Sequence, residues 1–231
     1  MNLTQKILKV NSEICSSEID EKRLPDILPA LEISFALLMP QSQLPIEISE
    51  KSFMSVLPEL LEGNLVAIIP AYPKLNFSHS IYKNSRVGCL GKINDIQYND
   101  NNVRLLIHGV CRFDVIEELS GGKNLLPRVR VLYDKYISDL NAPNENWDCS
   151  KLLSVLNNYF KKFSIERDWN TIKDTPANVL VSAITMAFPF HPIEKQALLE
   201  TVSLDERSEM ISKIIEMNSF SHSLEPVNTI N

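Results

Sequence analysis

Hydrophobic and polar positions follow two different periods along this chain. Over residues 28–140 they mostly alternate, as in half-buried strands; beyond 141 they recur every three or four residues, as on one face of a helix. The clearest alternation spans residues 103–117. Val103, Leu105, Ile107, Gly109, Cys111, Phe113 and Val115 share one face, and Arg104, Leu106, His108, Val110, Arg112, Asp114 and Ile116 share the other. Gly109 in mid-strand predicts a bulge or sharp bend, the kind of bend that closes a small sheet into a barrel. Asn99-Asp100-Asn101-Asn102 precedes this run. Asn and Asp tolerate the left-handed backbone, so these four residues predict a hairpin to a strand over 87–98.

Further strands are predicted upstream and downstream. Ile33, Phe35 and Leu37 alternate with Ser34, Ala36 and Leu38 until Pro40 ends the run. Residues 44–48 read as a short strand, 65–69 as a buried one ended by Pro70, and 127–133 as the last. Between them, 49–61 has helical spacing with Phe53, Leu57, Leu60 and Leu61 on one side, a kink at Pro58 and a stop at Gly63. Residues 71–86 form a long polar loop carrying Tyr72, Phe77 and Tyr82.

In the helical half, Leu152, Leu153, Leu156, Tyr159, Phe160 and Phe163 make one stripe. Thr175-Pro176 predicts an N-cap followed by Pro at the first helical position, with a helix through Met186. Phe188-Pro189-Phe190-His191-Pro192 predicts a rigid elbow, with a short helix from Pro192 through Glu200. Ser203-Leu204-Asp205-Glu206 is a capping box for a last helix to about Met217. The fold class is therefore α+β. The expected divisions are a polar N-terminal extension over 1–27 with a short helix at 3–10, a β domain over 28–140, a helical subdomain over 141–218 and a frayed tail over 219–231.

Charge narrows the function classes. Lys plus Arg is 23 and Asp plus Glu is 29, a net charge of −6 over 231 residues, and both halves are acidic. A dedicated nucleic-acid binder carries a basic surplus, so nucleic acid is not the expected partner. No apolar run approaches the roughly 20 residues of a membrane span. Lys6 and Lys9 interrupt the start, which lacks a signal-peptide core, so the expected location is the cytoplasm. Cys15, Cys89, Cys111 and Cys149 contain no C-x-x-C pair and read as free thiols.

Candidate chemistry is sparse. Gly121-Gly122-Lys123-Asn124 fails the phosphate-loop pattern in spacing and final residue. His108 and Cys111, three apart on one strand, point to opposite faces. Glu32, Glu47 and Glu50 read as solvated or salt-bridged carboxylates. No zinc spacing or nucleophile elbow appears. The sequence predicts no catalytic residue, no metal and no cofactor.

Several stretches carry a family resemblance. Leu28-Pro29 opens the β half, and Leu44-Pro45-Ile46-Glu47-Ile48-Ser49-Glu50-Lys51-Ser52-Phe53 follows. Gly88-Cys89-Leu90-Gly91-Lys92-Ile93 and Leu105-Leu106-Ile107-His108-Gly109-Val110-Cys111-Arg112-Phe113 are the most specific. Phe188-Pro189-Phe190, Glu194 to Glu200 and Arg207 continue it. From Leu28 to Met217 the chain resembles the amino-terminal substrate-binding domain of the Lon protease family, departing from it at Ser49, Lys51 and Ser52. The resemblance implies a PUA-like small β-barrel followed by a small helical bundle, with structural roles for Glu50, Gly88, Gly91, Gly109, Arg112 and Phe113. In that family an ATPase and a Ser-Lys protease follow, and this sequence ends at Asn231 before either could begin. The expectation is a stand-alone, non-catalytic polypeptide-binding or adaptor protein. Its expected partners are an unfolded or partner polypeptide and a separate protease or ATPase. An RNA-binding PUA-like module and a hydrolase of unknown type are the alternatives. Aromatic residues on an adaptable loop suit binding, so Tyr72, Phe77 and Tyr82, with Met39 and Phe53 in an adjoining groove, are the candidate contacts. The same rings could instead fold back and plug the open barrel end. Arg112 is expected to make a structural ion pair.

Overall fold

In the computed structural model, the alternating run around Gly109 lies inside the longest strand of a six-stranded sheet. The structure describes residues 24–34, 36–49, 51, 63–71, 86–99, 102–119, 126–141 and 148–221. The chain divides into two units, Met1–Asn141 and Ala142–Asn231.

The first unit contains β1 (Ile27–Ser34), β2 (Gln43–Ser49), β3 (Leu65–Ala71), β4 (Arg86–Asn99), β5 (Asn102–Leu119) and β6 (Arg128–Leu132), then a 3-10 helix, Asp134–Leu140. The strand order is β2-β5-β4-β3-β1-β6, and β6 also pairs with β5. Five strands therefore form a closed cycle of ladders, β5-β4-β3-β1-β6-β5, with β2 attached along β5. Only β1 and β3 pair in parallel among the described ladders. β5 can serve three neighbours because it is long and irregular. Asn102 to His108 pairs with β2, Asp114 to Leu119 with β6, and β4 runs beside it nearly throughout. Register shifts leave Val110, Asn94 and Ile116 as extra residues. Each bulge adds local twist, which brings the far half of β5 round to β6.

The expected hairpin is present, with Asn99 paired to Asn102. β1 differs from the expectation. It begins at Ile27 and ends at Ser34, whereas 36–39 is not strand. Leu28, Pro29 and Ala30 are buried in succession, and burial alternates only from Leu31 onward, so the first half of β1 carries no period of two. β3 also continues through Pro70 to Ala71. Its described ladder to β4 covers Leu65 to Ile68, so Pro70 lies where a missing N–H breaks no pairing to β4. Ser49 belongs to β2. The rest of the helix expected over 49–61, apart from Lys51, lies outside the described residues, as do the expected helix at 3–10 and the interior of the 71–86 loop.

The second unit contains α1 (Ser150–Lys162), α2 (Trp169–Asp174), α3 (Ala177–Ala187), α4 (Pro192–Glu200) and α5 (Leu204–Ser221). α1 packs on α5, and α3 touches both α4 and α5. Leu152, Leu156, Val181, Leu198, Ile211 and Ile215 are central to its core. The cap of α3 is Pro176, one residue later than expected. Thr175 instead closes α2, its Oγ1 donating to the Thr171 carbonyl oxygen at 2.7 Å. α2 itself was not expected; Asp168 caps it by accepting from the Asn170 and Thr171 amides. At the elbow His191 Nδ1 accepts from the Ile193 amide, and Glu194 accepts from the His191 amide at 2.7 Å. Pro192 at the first helical position completes this cap. Arg207, 4% exposed, donates from Nη2 to the Thr201 carbonyl oxygen just past the C-terminus of α4, where a cation is favoured. Among the described residues no helix is long and apolar enough to cross a membrane.

Candidate functional site

The described motif glycines of the β half, with Arg112 and Phe113, lie in one structural cluster. A Cβ at Gly109 would lie 2.0 Å from the Met39 carbonyl oxygen. The turn around Gln41 is bonded directly to this glycine: Gln41 N–H donates to Gly109 O at 2.8 Å, and Gly109 N–H donates to Ser42 O at 2.9 Å. No described glycine has positive φ, so Gly109 is required for close backbone approach and not for an unusual dihedral. Gly91 and Gly88 are similarly crowded, by the Ile107 side chain at 2.4 Å and by the Phe113 ring at 2.6 Å.

Arg112 is fully buried although strand periodicity places it on the outer face. The 3-10 helix covers that face. Arg112 Nη2 and Nε donate to the two carboxylate oxygens of Asp139, each at 2.8 Å, and the Arg112 amide donates to the same group at 3.0 Å. Its guanidinium lies 4.6 Å from the Tyr136 ring centroid. The buried charge is thus paired, and the 3-10 helix is fastened to β5. Cys111 Sγ donates to the Tyr136 carbonyl oxygen at 3.4 Å. Burial, with the Asp139 charge adding to it, pushes the Cys111 thiol up to about 12 and the Cys89 thiol well above its ordinary range. Both are protonated and inaccessible at neutral pH, so neither is a nucleophile. Among the described residues Cys89, Cys111 and Cys149 are free thiols, and no group of three His, Cys, Asp or Glu side chains is placed to hold a metal.

The candidate binding residues fare differently. Met39 is 0% exposed and belongs to the core, because the segment before Pro40 folds inward onto Gly109. It cannot line a surface groove, which corrects that expectation. Phe53, Tyr72, Phe77, Tyr82 and the motif residue Glu50 lie outside the described residues.

The structure adds a cleft that the sequence did not indicate. Its volume is about 300 Å³, and it is lined by Ala30 and Glu32 of β1, Ile69 of β3, Arg86 of β4, Glu118 and Leu119 of β5, and Pro127, Arg128 and Val129 at β6. The floor is apolar and the rim is charged. Arg86 forms ion pairs with both Glu32 and Glu118. Partial burial alone would lower its pKa, but the hydrogen bonds and charges of the two carboxylates outweigh that and raise it. Glu32 is therefore salt-bridged. Glu47, on β2, stands opposite Arg104 in register and away from β1. No periodicity could have assembled this lining, since its members come from five strands. Tyr72, Phe77 and Tyr82 fall in sequence between β3 and β4, and Arg86, the first residue of β4, lines the cleft.

Comparison with known proteins identifies the architecture. A Lon protease of Dictyoglomus thermophilum is 22% identical over 192 residues, which is 82% of this chain and 24% of that protein. The chain thus spans about a quarter of the length of this curated relative. The N-terminal domain of the Mycobacterium avium complex Lon protease superposes with a TM-score of 0.59 at 16% identity, covering 82% of this chain and 98% of that one. A Lon N-terminal domain protein from Xanthomonas campestris gives 0.56 at 15% identity, covering 80% and 96%. The family model of the ATP-dependent protease La (LON) substrate-binding domain matches residues 27–217. That match begins at β1, ends within α5 and takes in both units, so the chain belongs to the Lon substrate-binding domain family.

Proposed function

We propose that this chain is a non-catalytic polypeptide-binding module, built as a PUA-like barrel with a small helical bundle and acting in the cytoplasm as an adaptor. The observation that carries this reading is the family match over 27–217. The closed cycle of five strands supports the barrel. The neutral, buried thiols and the ion-paired Arg86, Glu32 and Glu118 support a binding role over a chemical one. The cleft and the adjoining loop are the proposed contact. An apolar floor of Ala30, Ile69 and Val129 accepts a bulky side chain. A rim with both guanidinium and carboxylate groups can meet the carbonyl acceptors and amide donors of an extended chain. Tyr72, Phe77 and Tyr82 add ring contacts from the loop, and a separate protease or ATPase receives what is bound.

Fluorescently labelled, dephosphorylated casein tests this by anisotropy. Binding is expected without cleavage, and with no ATP turnover. Replacing Tyr72, Phe77 and Tyr82 together by Ala should weaken capture about tenfold, equivalent to about 1.4 kcal/mol, with the melting temperature unchanged. Unchanged capture dismisses the loop. Parallel loss of capture and stability assigns the rings to plugging the barrel. Casein turnover that survives repurification overturns the non-catalytic reading.

A further inference from the structure

Most aromatic side chains in the helical unit sit at the edge of its core, packed against it. Ten of the eleven buried core residues there are aliphatic, Phe190 being the exception. Tyr159, Phe160, Phe163, Trp169 and Phe188 are instead only partly buried, and Phe163 is 37% exposed. They form one continuous group. Tyr159 lies 4.7 Å from Phe163 and 5.2 Å from Phe188, Phe160 lies 6.0 Å from Trp169, and Phe188 stacks on Phe190 at 5.5 Å. Phe163 is left exposed and its four neighbours keep partly exposed edges, and a contiguous apolar edge of this kind suits an interaction surface.

The charge around these rings runs against the charge of the unit. Residues 141–231 hold 8 bases and 12 acids, yet three of the bases, Lys161, Lys162 and Arg167, fall within seven residues beside the ring group. Lys161 and Lys162 close α1, where a cation complements the helix dipole. Arg167 has no such reason. It stands just before the cap of α2, where a cation is disfavoured, and its guanidinium lies 5.7 Å from the Phe160 ring centroid. Of the two nearby acids, Asp168 is turned into α2, accepting from Asn170, Thr171 and the Thr171 hydroxyl. Glu166 is exposed and lends its carbonyl oxygen to Arg167.

We propose that this ring group is a second polypeptide contact, selective for segments whose aromatic or bulky aliphatic residues are flanked by Asp or Glu. The proposal rests on the polypeptide-binding reading and specifies its substrate class. Apolar side chains of the segment cover the exposed edges of Phe163 and its neighbours. The flanking carboxylates pair with Arg167 and Lys161, whereas basic flanks are repelled.

Trp169 is a built-in reporter in a Trp147→Phe background, since the chain has 2 tryptophans. Three short peptides are titrated against its emission: a Phe-Leu-Phe centre flanked by acidic residues, the same centre flanked by Lys, and acidic flanks around Ser-Gly-Ser. The first should bind at least about tenfold tighter than either of the others. Arg167→Glu should abolish or reverse the preference between acidic and basic flanks, and Phe163→Ser should weaken the first peptide about tenfold. Arg167→Glu changes a surface side chain, so it remains informative if Phe163→Ser loosens α1. Equal binding of acidic- and basic-flanked peptides, or no change on Arg167→Glu, overturns the proposal. Normal casein capture with no response to any peptide overturns it while leaving the polypeptide-binding reading standing. Failure of both overturns both.

Discussion

The Cβ that any other residue would bring to position 109 falls 2.0 Å from the Met39 carbonyl oxygen, and the obstacle is backbone, which cannot swing aside as a side-chain tip can. Gly109→Ala must therefore push the turn away and lengthen both hydrogen bonds that join it to β5. The expected loss is about 2–4 kcal/mol, combining overpacking with two impaired buried bonds. Gly63→Ala is the internal control, because nothing lies within 4 Å of its added Cβ. Urea unfolding of both variants measures the difference, and equal midpoints would refute the close-approach account. The sequence marks Gly109 as unusual, since glycine in a strand needs a reason. It does not reveal the reason, because Met39 is 70 residues away and meets Gly109 only once the sheet has formed. Arg112 teaches the same lesson. Its period puts it on the outer face, and nothing nearby in sequence says that Asp139 and Tyr136 will bury it there.

Elements defined by local contacts were legible, and those defined by neighbours were not. The alternation of β5 and the Asn-rich hairpin depend on adjacent residues and appear as expected. β1 was displaced because its first half is buried on successive positions, which leaves no alternation to read there. The 3-10 helix and the closure through β6 left no period to read. The β4–β5 pair also has a testable pH response. Cys89 and Cys111 sit on these two strands, and folding holds Cys111 protonated to about 12 against an ordinary 9.0. A folded pKa raised above the unfolded one gives stability that is fully present below pH 9 and is lost as pH rises toward 12. At pH 10.5 the Cys111 contribution to this loss is roughly 2 kcal/mol. The wild-type protein should therefore weaken markedly between pH 8 and 10.5 in urea titrations. Cys111→Ala should weaken by about that much less, and an identical pH slope in the two proteins would contradict the assignment.

At the scale of the whole chain the governing quantities are its net charge of −6 and the split between an aliphatic interior and partly exposed rings. The proposed PUA-like barrel could serve either nucleic acid or polypeptide, and the two demand opposite salt behaviour. Nucleic-acid binding releases condensed counterions, so a protein making six or more phosphate contacts loses about 10³-fold or more in affinity between 50 and 200 mM salt. Burial of apolar side chains releases none, and it carries a negative heat-capacity change. The rims offer few cations for either ligand: at the cleft Arg86 is already held by Glu32 and Glu118, which leaves Arg128, and Arg167 and Lys161 add two more. Casein affinity should therefore fall by no more than about threefold over that salt range, and its binding enthalpy should become more negative with rising temperature. A single-stranded RNA oligonucleotide should show no saturable binding at 50 mM. Anisotropy at four salt concentrations and calorimetry at three temperatures measure both quantities. RNA binding with a steep salt slope, alongside casein binding with no heat-capacity change, would replace the polypeptide-binding reading with the nucleic-acid one.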